Sequence, residues 1–339
     1  MPLIIPGYNP DDGFVIGGGL IYKKKQWNKK PFGWQQNFGG NYAAATGAYS
    51  LYYRGIFTHT FGKWDLDLDA DYKAPAFVLN FYGAGNDSKL LTQEKAFYRV
   101  RAKSVFFNPA VSRNWGRSSF KTGLLYNSVK VESAKDKFIN LAAAFIDSSV
   151  FYTKYFAGAN ISYTINTSDN FKYPTKGIIY HADAAYLSNL KEGKRNFLNL
   201  QSAFTFYCSP WKGITIAHRT GAAINSNGYE FYQANTLGGH DNLRGYWRTR
   251  FNGRTSFYQN TDLRIELANL DGYVLRGKLG IYGFFDDGRV WVKNDQSNLL
   301  HTGYGGGVYF IPYSTLAINL SYAASNEVKV FTFRTGFLF

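Results

Sequence analysis

The chain has 339 residues, 19% of them aromatic (27 Tyr and 29 Phe among them), with 35 Gly, a single Cys and a formal net charge of +15. Mean hydropathy is −0.28, and no apolar run approaches the ~18–20 residues that a transmembrane helix needs. A lone Cys208 excludes an intramolecular disulfide and a cysteine-based metal cage. This balance fits poorly with a soluble α/β enzyme. It fits a transmembrane barrel, in which only every second residue faces lipid and aromatic girdles mark the interfaces.

The 38 basic residues outnumber 23 acidic ones, but they are spread along the chain, with Lys23–Lys25 and Lys29–Lys30 as the clusters. A nucleic-acid footprint would gather them on one face, so nucleic acid is not an expected partner. Anionic outer-membrane lipids are the expected one. The N-terminus, Met1-Pro-Leu-Ile-Ile-Pro6, lacks the charged and apolar regions of a signal peptide. The chain is therefore expected to be a mature or excised portion of a longer precursor.

Alternation with a period of two recurs over about ten residues at a time, the length of a tilted membrane strand. In chain order the expected strands are 3–9, 13–24, 34–46, 48–61, 64–74, 95–107, 117–131 and 150–165. They continue at 177–188, 196–208, 213–225, 256–268, 273–287, 302–311, 314–325 and 327–339. Trp64, Leu66, Leu68, Ala70 and Tyr72 share one face, and Asp65, Asp67, Asp69 and Asp71 the other. In the next strand Arg99, Arg101 and Lys103 share a face. As antiparallel neighbours, the two are expected to form a luminal ladder of acidic and basic residues. Opposite-charge cross-strand pairs stabilise by roughly 0.2–1 kcal/mol each. A calcium site is disfavoured, because same-face residues on a strand lie ~7 Å apart and diverge.

Sixteen strands place both ends of the chain on one side, and the gaps sort by parity. Odd gaps include the long ones, 75–94, 132–149, 226–255 and 288–301, whereas even gaps are mostly short. The exceptions are 25–33 and 166–176. Long loops outside and short turns inside characterise outer-membrane barrels. No linker divides the chain, so 1–339 reads as a single domain: all-β, a transmembrane antiparallel β-barrel of 16 strands. Its sixth outer loop, 226–255, is rich in glycine, arginine and aromatic residues, and is expected to fold back into the lumen.

Two segments carry a family resemblance. Leu243-Arg-Gly-Tyr246 lies in the sixth outer loop, and Phe284-Phe-Asp-Asp-Gly288 lies in the thirteenth strand. Together they resemble the paired motifs of BamA-type barrels, the outer-membrane assembly and two-partner-secretion superfamily also called bacterial surface antigens. The resemblance implies that Arg244, Gly245 and Tyr246 form a loop tip latched to a wall partner made of Phe284, Asp286 and Gly288. The chain ends on Phe337-Leu-Phe339, with Phe331 and Phe333 on the same face, and this resembles the terminal strand signal of such barrels. It departs at Arg334, where the family has glycine. Tyr173-Pro-Thr-Lys-Gly177 resembles the family's Pro-x-x-Gly turn.

The function implied is assistance in inserting or translocating proteins at the bacterial cell outer membrane, through a seam between first and last strands. Unfolded outer-membrane proteins and accessory lipoproteins would be its partners. Pro6 in the first strand cannot donate to a ladder and belongs on an edge. The alternative is a passive channel, or a membrane anchor for an upstream lipase or metallophosphoesterase domain. Among the five histidines, His181 shares an inward face with Asp183, yet no serine stands beside them as a nucleophile. No metal, phosphate or cofactor motif is present, so neither an enzyme nor a cofactor is expected.

Overall fold

The computed structural model describes residues 2–9, 13–27, 29–44, 46–142, 147–193, 195–272, 276–313 and 317–339. The first wall strands are β1 (Pro2–Asn9), β2 (Gly13–Gln26), β3 (Lys29–Ala43), β4 (Ala48–Phe61) and β5 (Trp64–Asn80). Next come β6 (Arg99–Trp115), β7 (Ser118–Val131), β8 (Lys154–Asn166), β9 (Gly177–Asn189), β10 (Asn196–Trp211) and β11 (Ile214–Asn225). After a loop that holds the short β12 (Asn235–Leu237) and β13 (Phe251–Gly253), the wall resumes with β14 (Thr255–Asp271) and β15 (Arg276–Trp291). It ends with β16 (His301–Pro312), β17 (Ile318–Ala324) and β18 (Lys329–Thr335). Sixteen strands form one sheet in chain order, each antiparallel to the next, while β12 and β13 pair separately.

The strand count and most boundaries agree with the alternation read from sequence. The expected starts at 273 and 314 fall on 273–275 and 314–316, outside the described residues. Three boundaries differ informatively. The gap 25–33 closes to a tight hairpin, because β2 reaches Gln26 and β3 begins at Lys29. The expected strand at 95–107 starts instead at Arg99, after one helical turn at Lys95–Tyr98. The expected strand at 327–339 stops at Thr335.

The two faces of the sheet invert the usual distribution of polarity. Large apolar side chains stand exposed on one face, including Leu51, Leu124, Ile161, Leu263 and Leu267, with Leu124 at 65%. Inner-face positions of these and neighbouring strands carry Asn108, Asn160, Asp262, Arg264 and Asp286. The sheet curls strongly enough that Tyr173, in the turn between β8 and β9, reaches β16, with its hydroxyl 3.0 Å from that of Tyr309. The space inside is filled by loops. Phe81, Ile139 and Val150 from loops pack on Val100, Ala102, Val129 and Val131 of β6 and β7.

That packing corrects the expected charge ladder. Asp69 lies opposite Asn108, Asp71 opposite Phe106 and Asp65 opposite Ser112, so the aspartates share the inner face with the even-numbered residues of β6. Arg99, Arg101 and Lys103 point the other way. At their height the inner face is covered by the apolar loop core, which selects Val100 and Ala102 instead. A strand has two faces, and register decides which one meets the neighbour's. The actual partners of the aspartates are Arg54 of β4, 2.7 Å from Asp71, and Lys121 of β7, 2.7 Å from Asp69 and 3.9 Å from Asp67.

This register predicts a cross-linking pattern. In a Cys208→Ser background, Asp69→Cys with Asn108→Cys should oxidise to a disulfide, since opposed Cβ atoms lie about 4.5–5.5 Å apart. Asp69→Cys with Arg101→Cys should not. A reversed pattern on a non-reducing gel would refute the register.

Candidate functional site

The loop from β11 to β14 turns inward because its sequence provides every element of a tight tip. The antiparallel pair of β12 and β13 sets Leu237 opposite Phe251. Gly238 (φ 125°) and Gly239 (φ 75°) then adopt conformations that favour glycine. Asn242 braces the turn: its side-chain carbonyl accepts from Gly238 N–H at 3.0 Å, and its amide donates to the Thr236 carbonyl at 2.9 Å. Asn260 of β14, fully buried, donates to the Asn242 carbonyl at 2.8 Å.

The tip delivers Arg244 to β14 and β15. Its backbone N–H donates to Asp286 Oδ2 at 2.9 Å, Nε donates to the same oxygen at 2.7 Å, and Nη2 donates to Oδ1 at 2.5 Å. Nη2 also donates to Asp262 Oδ1 at 2.8 Å. The guanidinium lies 3.7 Å from the centre of the Phe284 ring, a cation–π contact. Asp286 and Asp262 are essentially inaccessible, at 0% and 1% of side-chain area. Burial works against charging Arg244, but the two carboxylates outweigh it and raise its pKa above the usual guanidinium range. Arg264 donates to Asp262 Oδ2 at 3.2 Å, so two arginines and two aspartates balance in charge.

The flanking residues fit the close approach. A Cβ on Gly245 (φ 88°) would stand 2.6 Å from the Ala324 carbonyl oxygen, and one on Gly303 would stand 1.8 Å from that of Arg244. On Gly288 it would meet the Phe257 carbonyl oxygen at 2.8 Å. Tyr246 is buried against Phe251, and its hydroxyl donates to Asn326 at 2.8 Å, in the β17–β18 hairpin. Burial, with the Glu327 charge adding to it, pushes the Tyr246 pKa up to about 12. Of the six residues named from the two motifs, Arg244, Phe284 and Asp286 touch one another directly, while Gly245, Tyr246 and Gly288 line the loop's approach to Ala324, Phe251 and Leu237.

Several participants carried no signal of their own. Arg250, 1% exposed, is held by Glu327 through Nε and Nη2, both at 2.7 Å, and by the Ser88 hydroxyl at 2.9 Å. It ties the loop to the β17–β18 hairpin and to loop 81–94. Asp262 and Arg264 alternate with Leu263 and Ile265 along β14 and so face inward. Their place beside Asp286 follows from register, with Asn260 opposite Asp286 and Asp262 opposite Phe284. Glu230 is buried at 4%, beside Arg195 (2.7 Å) and Lys154 (3.9 Å). Burial pushes its pKa up, against the pull of those two cations.

The chain's last residues depart from expectation. Phe331 and Phe333 face outward at 75% and 73% exposure, but Gly336 (φ 84°) turns the chain inward. Phe337 then lies inside, against Tyr173, Tyr282 and Tyr309, with its ring centre 4.0 Å from the Arg264 guanidinium. The Phe339 carbonyl accepts from Arg264 at 3.0 Å. Phe337 and Phe339 thus do not extend the outward aromatic face of β18. The pull of the Arg264 pocket outweighs the alternation that placed them there. His181 and Asp183 do face inward, with Nε2 2.5 Å from Oδ2, and against expectation a serine stands beside them: the Ser162 hydroxyl donates to Asp183, though to the carboxylate and not to the imidazole. Among the described residues no His/Cys/Asp/Glu cluster is arranged to hold a metal.

Arg244→Ala would strand the buried Asp286 carboxylate and leave Asp262 with Arg264 alone, a change that costs about 3–5 kcal/mol. The expected outcome is unfolding at lower temperature or denaturant in a gel-mobility assay. Arg244→Lys should recover only part of the loss, since an ammonium lacks the fork that grips Asp286 at two oxygens. Wild-type stability in Arg244→Ala would show that the contact carries no weight.

No protein-family model matches the sequence, and no curated protein matches it either. Solved structures do. BamA from Haemophilus ducreyi lacking POTRA domains 1-3 superposes with a TM-score of 0.70 at 15% identity, covering 98% of this chain and 69% of that one. CdiB from Escherichia coli gives 0.62 at 11% identity, over 98% of this chain and 61% of that one. CdiB from Acinetobacter baumannii gives 0.59 at 12%, over 99% and 59%. The chain thus spans about six to seven tenths of these proteins. At such identities the likeness is one of fold, and the fold is that of the BamA and CdiB barrels.

Proposed function

We propose that this chain is an outer-membrane β-barrel of the BamA-like type, which assists the insertion or translocation of proteins across or into that membrane. The observation that carries the reading is Arg244 of an infolded loop, seated on Asp286 and Asp262 of a wall with the BamA and CdiB fold. The exposed Leu and Ile side chains of the outer face suit a hydrocarbon surround, where a midplane Arg or Lys costs ~2–4 kcal/mol. Outer-membrane lipids, client proteins and accessory lipoproteins are the proposed partners.

The mechanism proposed is opening between the first and last strands. In its support, β1 pairs with β2 alone and β18 with β17 alone among the described residues. Pro6, which has no N–H to donate, sits within β1 opposite Ile16. The latch, which also ties the loop to the β17–β18 hairpin, would hold this last hairpin in place while β1 moves. The inner space, occupied by the Arg244 loop and the Phe337 turn, counts against a wide passive pore.

Cysteines that lock β1 to β18 should abolish client insertion by the reconstituted full-length protein, and reductant should restore it. Insertion that proceeds with the seam locked would overturn the mechanism. In planar bilayers the protein should give small, fluctuating currents; large steady ones would favour the channel reading.

A further inference from the structure

The register that separates Arg99, Arg101 and Lys103 from the aspartates leaves these cations on the outer face of β6. They occupy the end of the strand that adjoins the long loops 81–94 and 132–153, which is the outer rim. Lys103 stands directly opposite Lys130 of β7, and Arg101, Lys103 and Lys130 are all exposed. Like charges directly opposed in a sheet repel. No carboxylate forms an ion pair with Arg101, Lys103 or Lys130 among the described residues. Of the neighbouring acids, Glu132 meets Arg101 through its backbone N–H, and Asp136 is held by Lys137 at 3.0 Å. Aromatic surface lies beside the ridge: Lys103 Nζ is 5.5 Å from the centre of the Tyr72 ring, and Tyr49 packs on Tyr72 at 6.0 Å.

We propose that this ridge binds the phosphate groups of an anionic glycolipid in the outer leaflet, with Tyr49 and Tyr72 against the lipid's apolar body. Guanidinium forks match phosphate oxygens in pairs, and the two ammonium groups add point charges. A phosphate between Lys103 and Lys130 turns their repulsion into attraction. The inference rests on the lipid-facing reading of the outer face given above. It adds a site on that face that is independent of Arg244 and of the seam.

The test titrates the full chain in neutral detergent with bisphosphorylated lipid A and reads bound lipid by native mass spectrometry. Wild type should bind, and the quadruple variant Arg99→Gln/Arg101→Gln/Lys103→Gln/Lys130→Gln should bind about tenfold or more weakly, each cation near the surface contributing to the attraction. Lipid A stripped of phosphate should bind wild type as weakly as the variant binds the intact lipid. Equal binding by wild type and variant, or by phosphorylated and stripped lipid, would overturn the proposal. So would full displacement by millimolar inorganic phosphate, which marks a simple anion site. Should the quadruple variant misfold, Arg101→Gln and Lys130→Gln singly must each weaken binding, or the proposal fails. Loss of heat-modifiable mobility in the wild type would instead overturn the membrane-barrel reading beneath it.

Discussion

Four charges buried together govern the interior of this protein. Asp286 and Asp262 are buried in the sheet against Arg244 and Arg264, which meet them through charged hydrogen bonds. Desolvating such ions costs several kcal/mol each, and the cost is recovered only when geometry is good and hydrogen bonds are complete. Asp286 has both oxygens engaged by one guanidinium and a third bond from the Arg244 backbone. The requirement propagates outward. Glycine is needed at 245 and 303 so that the loop backbone can come close, and the Asn242 brace is needed to aim the tip. One interaction thus explains an otherwise disparate set of residues in three strands and a loop.

The Asp262 carboxylate joins two inward-turned segments. Asp262 accepts from Arg244 through one oxygen and from Arg264 through the other. Arg264 in turn seats Phe337 and the Phe339 carbonyl. The infolded loop and the inturned end of the chain therefore share a support on β14. A shift of either alters the electrostatic surroundings of the other.

The strands were legible because a period of two needs no tertiary information, and sixteen of them emerged near their observed places. Gap parity placed the loop of Arg244 without reference to its motif. What the alternation could not supply was register. Arg99, Arg101 and Lys103 were sorted correctly onto one face of their strand, but to the face that meets lipid or solvent and not the aspartates. The deciding fact, an apolar loop core over Val100 and Ala102, is non-local. Arg250 was obscured for a similar reason, since Glu327 lies 77 residues away. Phe337 misled because alternation assumes a continuing strand, whereas Gly336 and the Arg264 pocket end it.

The wall and the covering loops differ sharply in the sequence distance their contacts span. Each wall strand pairs with the next wall strand in the chain, so the sheet can assemble as successive hairpins. The covering loops close across far greater distances: Asn86 donates to the Leu299 carbonyl 213 residues away, and Arg250 reaches Ser88 over 162. Closing such loops is slow unless an existing scaffold brings their ends together. A wall already in place brings those ends together, and a chain that still lacks its final hairpins also lacks the Leu299 and Glu327 that Asn86 and Arg250 bind.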